Sequence, residues 1–420
     1  MGRLWVVLTA LVLASPSVQG AEPTGRKKPL SAEALWQLSR LGPPSVSPDG
    51  RWAVLAVTTY DIKADKPTSA LWLIATAGGE ARQLTFPAGS DSSPVWSPDG
   101  KWIAFTGKRG DSETSQLYAI PVDGGEARRL SSAPGGAFAP KWFPDSKRIA
   151  FATWVLPDWK SWDEETKQAK ERKESKMTGR IWTKSPARHW DRFLDERKAH
   201  LFIASLGQTD PTPLTVRTSL SLPFGPVNAD PDSGDYDISP DGKEVAFSAD
   251  SDKSGVDPNR DIYVLSVAGG PARNLTADNP AGDSGPSYSP DGKYIAYGRR
   301  AIARAWYDTA RLALYDRASG KSRILTERWD RSVGHLLWTS DGKALLGSID
   351  DAGAHRVYRI DASSGKASPL TKEHGFSGLA LSRSGRTLVA LREGFSEPPT
   401  LVRVDAANGQ VSKLSTFNDA

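Results

Sequence analysis

The residue types that most often carry out catalysis are sparse in this chain. Its 420 residues contain no cysteine and five histidines, at positions 189, 200, 335, 355 and 374. The lack of cysteine excludes disulfides, thiolate catalysis and cysteine-ligated zinc, so any nucleophile must be an oxygen or a nitrogen. No two histidines have the short spacing that is typical of a metal pair. The sequence therefore predicts no metal and no other cofactor.

One serine stands in a setting that suggests a nucleophile. Ser284 is the centre of the segment Gly-Asp-Ser-Gly-Pro at residues 282–286. Residues 89–94 occupy the same place before a similar downstream turn, so we interpret both segments as turns that lead into a strand. The nucleophile elbow Gly-x-Ser-x-Gly occurs nowhere in the chain. We expect the chain to contain no catalytic residue.

The strongest pattern in the sequence is a repeated tetrapeptide related to Ser-Pro-Asp-Gly. Its seven copies begin at residues 47, 97, 143, 239, 289, 339 and 382. Serine, proline, aspartate and glycine in this order are favoured in a type I turn, with the glycine free to adopt a positive φ. Alternating apolar segments such as residues 101–105 and 294–297 follow the turns, as strands do. Each copy is therefore predicted to reverse a strand.

Four short strands surround each copy of the turn, which is typical of a β-propeller blade. The sequence thus predicts an all-β fold, a seven-bladed β-propeller of four-stranded antiparallel blades at residues 44–416. We expect whole blades, without a strand borrowed from the opposite end of the chain. Leucine-rich, tetratricopeptide and ankyrin repeats have shorter periods and are at least partly helical.

The long interval between the third and fourth turns predicts an insertion at residues 154–200 in blade three. Its first part, residues 159–177, is rich in Glu, Lys, Gln and Ala and can form a solvated helix. Residues 181–194 add aromatic and basic side chains. With 12 Lys/Arg and 8 Asp/Glu, residues 160–198 carry the excess positive charge of the chain. The remaining chain lacks a basic face, so binding of nucleic acid is not expected.

The N-terminal residues have the pattern of an export signal. Arg3 precedes an apolar run from Leu4 to Ala14, and small residues follow it. We predict a signal peptide at residues 1–20 and a lead-in at residues 21–43. The chain would then be periplasmic or secreted, with no membrane association after cleavage. An N-terminal anchor that is never cut is the alternative.

Three features together resemble one enzyme family: the lead-in residues 29–41, the seven turns, and the inserted Arg188-His189-Trp190-Asp191. They look like the N-terminal propeller of exported serine peptidases of the prolyl oligopeptidase family, in the branch of acylaminoacyl peptidases and dipeptidyl-peptidase 5-like enzymes. The resemblance implies a partner, an α/β-hydrolase domain in cis or as a separate chain. Residues 417–420 look like the junction to it, and the domain itself is not present in these 420 residues.

The resemblance implies a function in proteolysis. The propeller would gate access of short peptide substrates to a triad in the hydrolase domain, in an aminoacyl- or dipeptidyl-peptidase. Some dipeptidyl peptidases of the family hold the substrate ammonium with paired glutamates, which suggests Glu164 and Glu165; a solvated helix is the alternative. Arg188, His189 and Trp190 are further candidates for substrate binding, or else pack the insertion onto blade three. The other functional hypothesis is a stand-alone TolB-like periplasmic propeller that acts as a protein-interaction scaffold.

Overall fold

The computed structural model describes residues 31–86, 89–179, 181–182, 188–189, 192–193, 196–208, 210–218, 220–222, 232–251, 259–303 and 307–419. The predicted signal peptide at residues 1–20 lies outside these ranges, as do the first ten residues of the lead-in. Repeats 1 to 7 are named here after the seven turns in chain order.

Repeats 3 to 7 each form one antiparallel sheet of four strands in sequence order. Repeat 3 consists of β10 (Phe138–Trp142), β11 (Arg148–Val155), β14 (Lys198–Ser205) and β15 (Thr212–Pro213), and repeat 4 of β16 (Tyr236–Ile238), β17 (Glu244–Asp250), β18 (Arg260–Ser266) and β19 (Arg273–Asn274). Repeat 5 consists of β20 (Asp283–Tyr288), β21 (Tyr294–Arg299), β22 (Arg311–Asp316) and β23 (Lys321–Ile324). Repeat 6 consists of β24 (Leu336–Trp338), β25 (Ala344–Asp351), β26 (Ala354–Asp361) and β27 (Ala367–Pro369), and repeat 7 of β28 (Gly375–Leu381), β29 (Thr387–Gly394), β30 (Glu397–Asp405) and β31 (Val411–Lys413).

Repeats 1 and 2 share one nine-stranded sheet, so the prediction of seven four-stranded blades is wrong: among the described strands, five blades of four strands are formed. The merged sheet contains β1 (Arg40–Leu41), β2 (Ser45–Val46), β3 (Trp52–Asp61), β4 (Lys66–Ala75), β5 (Arg82–Gln83), β6 (Ser90–Trp96), β7 (Trp102–Lys108), β8 (Gln116–Pro121) and β9 (Arg128–Arg129). β3 and β4 are ten residues long, and this length brings Ser69 of β4 into parallel pairing with Ser90 of β6. The Ser69 hydroxyl also donates to the Asp91 carbonyl at 2.8 Å.

Helices are few. α1 (Ala32–Gln37) precedes the first strand, and Ser31 caps it by accepting a hydrogen bond from the Ala34 N–H. α2 (Trp162–Glu174) lies in the insertion of repeat 3 and is capped in the same way by Ser161. A 3₁₀ turn covers Val216–Thr218. The insertion also contains the paired strands β12 (Arg188–His189) and β13 (Arg192–Phe193).

The repeated tetrapeptide forms the predicted turn between the first and second strands of a repeat. In repeat 1 the Gly50 N–H donates to the Ser47 carbonyl at 2.8 Å, and the Ser47 hydroxyl donates to the Asp49 carboxylate at 2.6 Å. The same hydroxyl accepts from the Trp52 N–H, the first residue of β3. Gly50 has a φ of 76°, a conformation that glycine adopts at little cost. The serine thus holds both ends of the turn.

Strand direction gives the ring two different ends. Since the four strands of a repeat alternate in direction, the turns with the tetrapeptide share one end with the turns between third and fourth strands. We call this end the turn face. The opposite end, the loop face, carries the connections between second and third strands and those between repeats. The insertion of repeat 3 belongs to the loop face, because it joins β11 to β14.

The hydrophobic core is divided among the spaces between consecutive repeats. One cluster, for example, combines Phe143 and Leu201 of repeat 3 with Tyr236 and Phe247 of repeat 4. The cluster that contains Leu55 and Leu401 joins repeat 1 to repeat 7 and so closes the ring.

The ends of the ring are joined by side-chain contacts. Asn418 accepts a hydrogen bond from the Ser39 N–H at 2.8 Å and donates to the Ser39 carbonyl at 3.1 Å. Among the described strands, none of repeat 7 pairs with one of repeat 1, in line with the predicted whole repeats. The first strand, β1, begins at Arg40, four residues before the predicted start of the propeller.

Candidate functional site at the loop face

Large apolar side chains are exposed mainly on the loop face. Of the exposed large hydrophobic residues that the described part of the chain contains, only Trp52 and Ile324 lie elsewhere. The residues on the loop face come from α1 and from five connections around the ring: Leu35, Trp36, Ile62, Phe86, Met177, Ile181, Ile302, Tyr307 and Phe395. Contiguous or clustered exposed apolar groups are typical of an interaction surface.

The insertion is anchored to the ring by aromatic packing. Trp159 and Trp162 contact each other edge to face, with ring centroids 5.6 Å apart. Both rings contact Phe202 of β14, at 5.3 and 4.7 Å. The Trp162 indole N–H donates to the Pro211 carbonyl at 2.9 Å. Aromatic pairs in these arrangements add stability beyond the burial of their surface, so α2 is fixed on repeat 3 by its first turn.

The other end of α2 is held by ion pairs. Lys173 pairs with Glu113, which lies in the connection between β7 and β8 of repeat 2. Arg172 pairs with Glu196, close to the point where the insertion returns to β14. Exposed pairs of this kind contribute little stability each. Their positions show that α2 extends over the loop face from repeat 3 towards repeat 2.

The predicted glutamate pair is divided between two environments. Glu164 is half-buried, and its carboxylate accepts a hydrogen bond from the Gln168 side chain at 3.0 Å on the same helix. Glu165 is buried, and its carboxylate accepts from the Leu156 N–H at 3.3 Å. Burial raises the pKa of Glu165 above its ordinary value, while this hydrogen bond and nearby arginines lower it. In this structure the two carboxylates therefore have separate partners instead of converging on one point.

The remaining predicted binding residues can be placed only in part. Arg188 and His189 form β12, which pairs with β13 in register Arg188 to Phe193. Trp190 lies outside the described residues, as does the turn of this hairpin. The hairpin belongs to the same insertion as α2 and hence to the loop face.

Polar contacts between first strands surround the axis of the ring. The Lys141 ammonium of β10 donates to the Tyr236 carbonyl at 2.7 Å and pairs with Asp237 at 3.1 Å, both on β16. The other oxygen of Asp237 accepts from the Tyr288 N–H of β20 at 2.8 Å. The Trp338 indole of β24 in turn donates to the Ser287 carbonyl at 3.1 Å. First strands are therefore innermost, and they are linked from repeat 3 to repeat 6.

A second group of polar residues lies where these inner strands begin, at the loop-face end of the axis. Burial and the neighbouring Asp232 carboxylate raise the pKa of Asp235 to about 6. Burial and, next in size, the charge of Lys141 lower the pKa of His335. A Cβ atom placed on Gly234 would lie 3.3 Å from Nδ1 of His335, although Gly234 precedes repeat 4 and His335 precedes β24 of repeat 6. We call Asp232, Asp235 and His335 the axial cluster.

Sequence reasoning missed the axial cluster because His335 is about a hundred residues from the two aspartates, and the three belong to no motif. The structure gives the other singled-out residues structural settings. Ser284 is the second residue of β20, so it lies within the strand and not, as the sequence predicts, in a turn before it. His200 is buried against Thr215, with Nδ1 3.2 Å from the hydroxyl, and burial lowers its pKa to about 4. Within the described ranges, no group of three or more His, Asp or Glu residues is arranged to hold a metal ion.

Comparisons with known proteins relate this ring to peptidases. The family described as the Tricorn protease N-terminal beta propeller domain matches residues 68–176. Dipeptidyl-peptidase 5 of Porphyromonas gingivalis is 30% identical over 434 aligned positions, which cover 100% of this chain and 60% of that protein. Together these matches support an N-terminal propeller of the prolyl oligopeptidase family. Its fold is similar to that of acylaminoacyl peptidase from Pyrococcus horikoshii, with a TM-score of 0.65 at 16% identity, over 92% of this chain and 54% of that one.

The fold is also similar to that of a propeller solved as a separate domain. The β-propeller domain of the Trilobed protease from Pyrococcus furiosus has a TM-score of 0.61 at 14% identity, and the match covers 91% of this chain and 97% of that domain. The chain spans about 60% of the length of the Porphyromonas gingivalis relative. No helix in the described part of the chain is long and apolar enough to cross a membrane.

Proposed function

We propose that this propeller gates a serine peptidase that acts on short peptides and is exported. In this proposal the loop face docks an α/β-hydrolase domain, in cis or as a separate chain, and covers its active site. Folded proteins are excluded because the substrate must pass the ring or its edge. The proposed activity is that of a dipeptidyl or aminoacyl peptidase, and the triad belongs to the docked domain.

The concentration of exposed apolar side chains on the loop face is the observation that carries this proposal. The fully exposed Phe395 and the largely exposed Tyr307 project from connections in repeats 7 and 5. β31 runs towards the same face, because it is the fourth strand of its repeat. An interface between protein domains buries apolar groups of this kind at its centre. The turn face offers only short turns.

The insertion and the axial cluster supply the proposed contacts with a peptide. Glu164 has the more accessible carboxylate of the predicted pair, so we assign to it the contact with a substrate ammonium. Glu165 instead holds α2 to residue 156, because its carboxylate accepts a hydrogen bond from that backbone N–H. Arg188, His189 and Trp190 remain proposed substrate contacts from the hairpin of the insertion. The axial cluster would restrict passage along the axis of the ring.

Surface variants mixed with a separate α/β-hydrolase domain of the same family test the docking face. We expect Phe395→Ser together with Tyr307→Ser to weaken association with that domain at least tenfold in a titration of separate chains. The matched control is Trp52→Ser together with Ile324→Ser, which removes exposed apolar groups away from the loop face. Equal affinities of the two double variants would contradict the proposal and leave the scaffold hypothesis.

Chemical labelling and kinetics separate gating from catalysis. A fluorophosphonate should label the joined protein and not the propeller alone, because the chain has no nucleophile elbow. Glu164→Gln should lower kcat/KM for dipeptidyl substrates with a free amino terminus and leave N-blocked substrates unaffected. If Glu164→Gln had the wild-type kcat/KM for both substrate types, Glu164 would be removed from the site.

A further inference from the structure

A pair of buried carboxyl groups lies between repeats 4 and 5, below the loop face. Asp283 begins β20 and has no exposed surface, and Asp261 in β18 is also buried. The Oδ1 atom of Asp283 accepts a hydrogen bond from the Asn279 amide at 3.0 Å. Its Oδ2 atom is buried and has no hydrogen-bond partner among the described residues. An ionised carboxylate in this position would leave a buried charge incompletely compensated.

The hydrogen-bond donors around the pair are too few for two ionised carboxylates. Asp261 accepts from the Asn274 amide at 2.7 Å and from the Thr276 hydroxyl at 3.4 Å, and the Ser251 hydroxyl also lies beside it, whereas none of these serves Oδ2 of Asp283. The Thr276 hydroxyl oxygen also accepts from the Ile262 N–H at 3.0 Å, and the hydroxyl has a single proton to donate. That hydroxyl lies beside both carboxyl groups and also affects Asp283. One proton cannot serve an oxygen of each.

At the equivalent position of repeat 2, a positively charged side chain compensates the buried carboxylate. Asp91 stands six residues before Ser97, as Asp283 stands six residues before Ser289. Asp91 is equally buried, but Arg109 donates to both of its oxygens, to Oδ1 at 2.8 Å and to Oδ2 at 2.5 Å. In repeat 5 the Arg299 guanidinium, whose charge acts on Asp283, instead donates to Asp278 at 3.1 Å.

We propose that a proton on Asp283 takes the place that Arg109 has beside Asp91 and stabilises the interface between repeats 4 and 5. The protonated carboxyl would donate towards Asp261, so that two acids share one negative charge. Acidification then stabilises this interface, and loss of the proton destabilises it by placing two buried negative charges side by side. The proposal concerns the ring itself and holds whether or not the loop face docks a hydrolase domain.

The charged and titratable neighbours agree with this assignment. Burial raises the pKa of Asp283 to about 7, and Arg299 and Asn279 offset only part of that effect. Burial likewise raises the pKa of Asp261, with a further contribution from Asp278. Tyr297 of β21 faces the site as a neutral phenol, since burial raises its pKa above the ordinary value. None of these groups supplies the donor that Asp283 lacks.

Urea unfolding of the whole chain between pH 4 and pH 8 tests the proposal with Asp283→Asn. An asparagine amide donates permanently where the protonated acid would donate. Because the folded-state pKa is raised, the wild type should lose stability as pH rises from about 4 to about 7 and then level off. Relative to Asp283→Asn, its folding constant should fall by up to tenfold per pH unit in this range.

Two further variants keep the result interpretable. Asp91→Asn removes the partner of Arg109 and should lower stability at every pH from 5 to 8, with no gain as pH rises. Asp261→Asn removes the repelling charge and should reduce the pH dependence that is assigned to Asp283. The proposal is overturned if wild type and Asp283→Asn give parallel curves from pH 4 to pH 8, or if Asp283→Asn is destabilised throughout as Asp91→Asn is.

Discussion

In six of the seven tetrapeptide turns an aspartate accepts hydrogen bonds that its protonated form would lose. The Ser47 hydroxyl and the Arg51 N–H lower the pKa of Asp49 to about 2. Similar contacts lower the pKa of Asp241, Asp291 and Asp341. The ionised aspartates therefore stabilise the turns above pH 4, and this contribution is lost as pH falls from about 4 to about 2.

Replacing one of these aspartates should reproduce the effect of acid at a single turn. Asp49→Asn should lower the urea midpoint at pH 7, and the difference from the wild type should shrink as pH falls towards 2. The exposed Asp123→Asn, in a turn of another type, is the control and should leave the midpoint unchanged. A difference that stays constant from pH 7 to pH 2.5 would show that ionisation of Asp49 does not stabilise the turn.

The glycine of the turn is required by its backbone conformation. Gly100 has a φ of 75°, and a Cβ atom there would lie 3.7 Å from the Pro48 ring of the preceding repeat. Gly100→Val should reduce the free energy of unfolding by about 1–3 kcal/mol, because a β-branched residue is strained at positive φ. Gly179→Val is the control, since a Cβ atom at Gly179 meets nothing within 4 Å. Chemical denaturation of both variants measures the difference.

At the scale of elements, the attachment of α2 depends on one tryptophan. Trp162 packs against Trp159 and Phe202 and donates to the Pro211 carbonyl. Trp162→Ala should lower the free energy of unfolding by about 2–4 kcal/mol and increase hydrogen exchange in α2. Lys167→Ala, on the exposed side of the same helix, should change neither. Unchanged exchange in Trp162→Ala would mean that the ion pairs of Lys173 and Arg172 hold the helix instead.

The elements that were predictable from sequence are those encoded by neighbouring residues. The tetrapeptide turns, the helix in the insertion and the return of the chain at Leu201 follow from local composition and periodicity. The merging of repeats 1 and 2 does not, since it depends on how far β4 extends towards the loop face, where Ser69 reaches Ser90. The separate partners of Glu164 and Glu165 also escape the sequence, because helix register and tertiary packing determine them.

Of the candidate site on the loop face, only the insertion was predictable from the sequence. A long interruption of a regular repeat marks residues 154–200, whereas the axial cluster joins residues that precede the inner strands of repeats 4 and 6. Residues such as Asp235 and His335 have ordinary sequence neighbours, so nothing local distinguishes them. Their proximity arises from closure of the ring, which places the first strands of all repeats around one axis.

At the scale of the whole molecule, closure relies on Asn418 and a shared core. The Asn418 side chain contacts Ser39 twice and also donates to the Pro399 carbonyl at 3.4 Å. Asn418→Ala should lower the free energy of unfolding by about 1–2 kcal/mol, since it leaves Ser39 without these partners. Asn408→Ala is the control, because its bond to Gln410 is local. Equal losses in the two variants would contradict a special role of Asn418 in closure.

The absence of strand exchange between the described ends has a mechanical consequence. Under tension applied to the two termini in an optical trap, the contacts of Asn418 should break first, and the sheets should then detach from repeat 7 backwards. A four-stranded repeat of roughly 45 residues releases about 15 nm of chain. The nine-stranded sheet cannot divide without breaking the pairing of Ser69 with Ser90, so it should extend last, in a single step of about 30 nm. Two equal steps at that stage would show that repeats 1 and 2 yield independently.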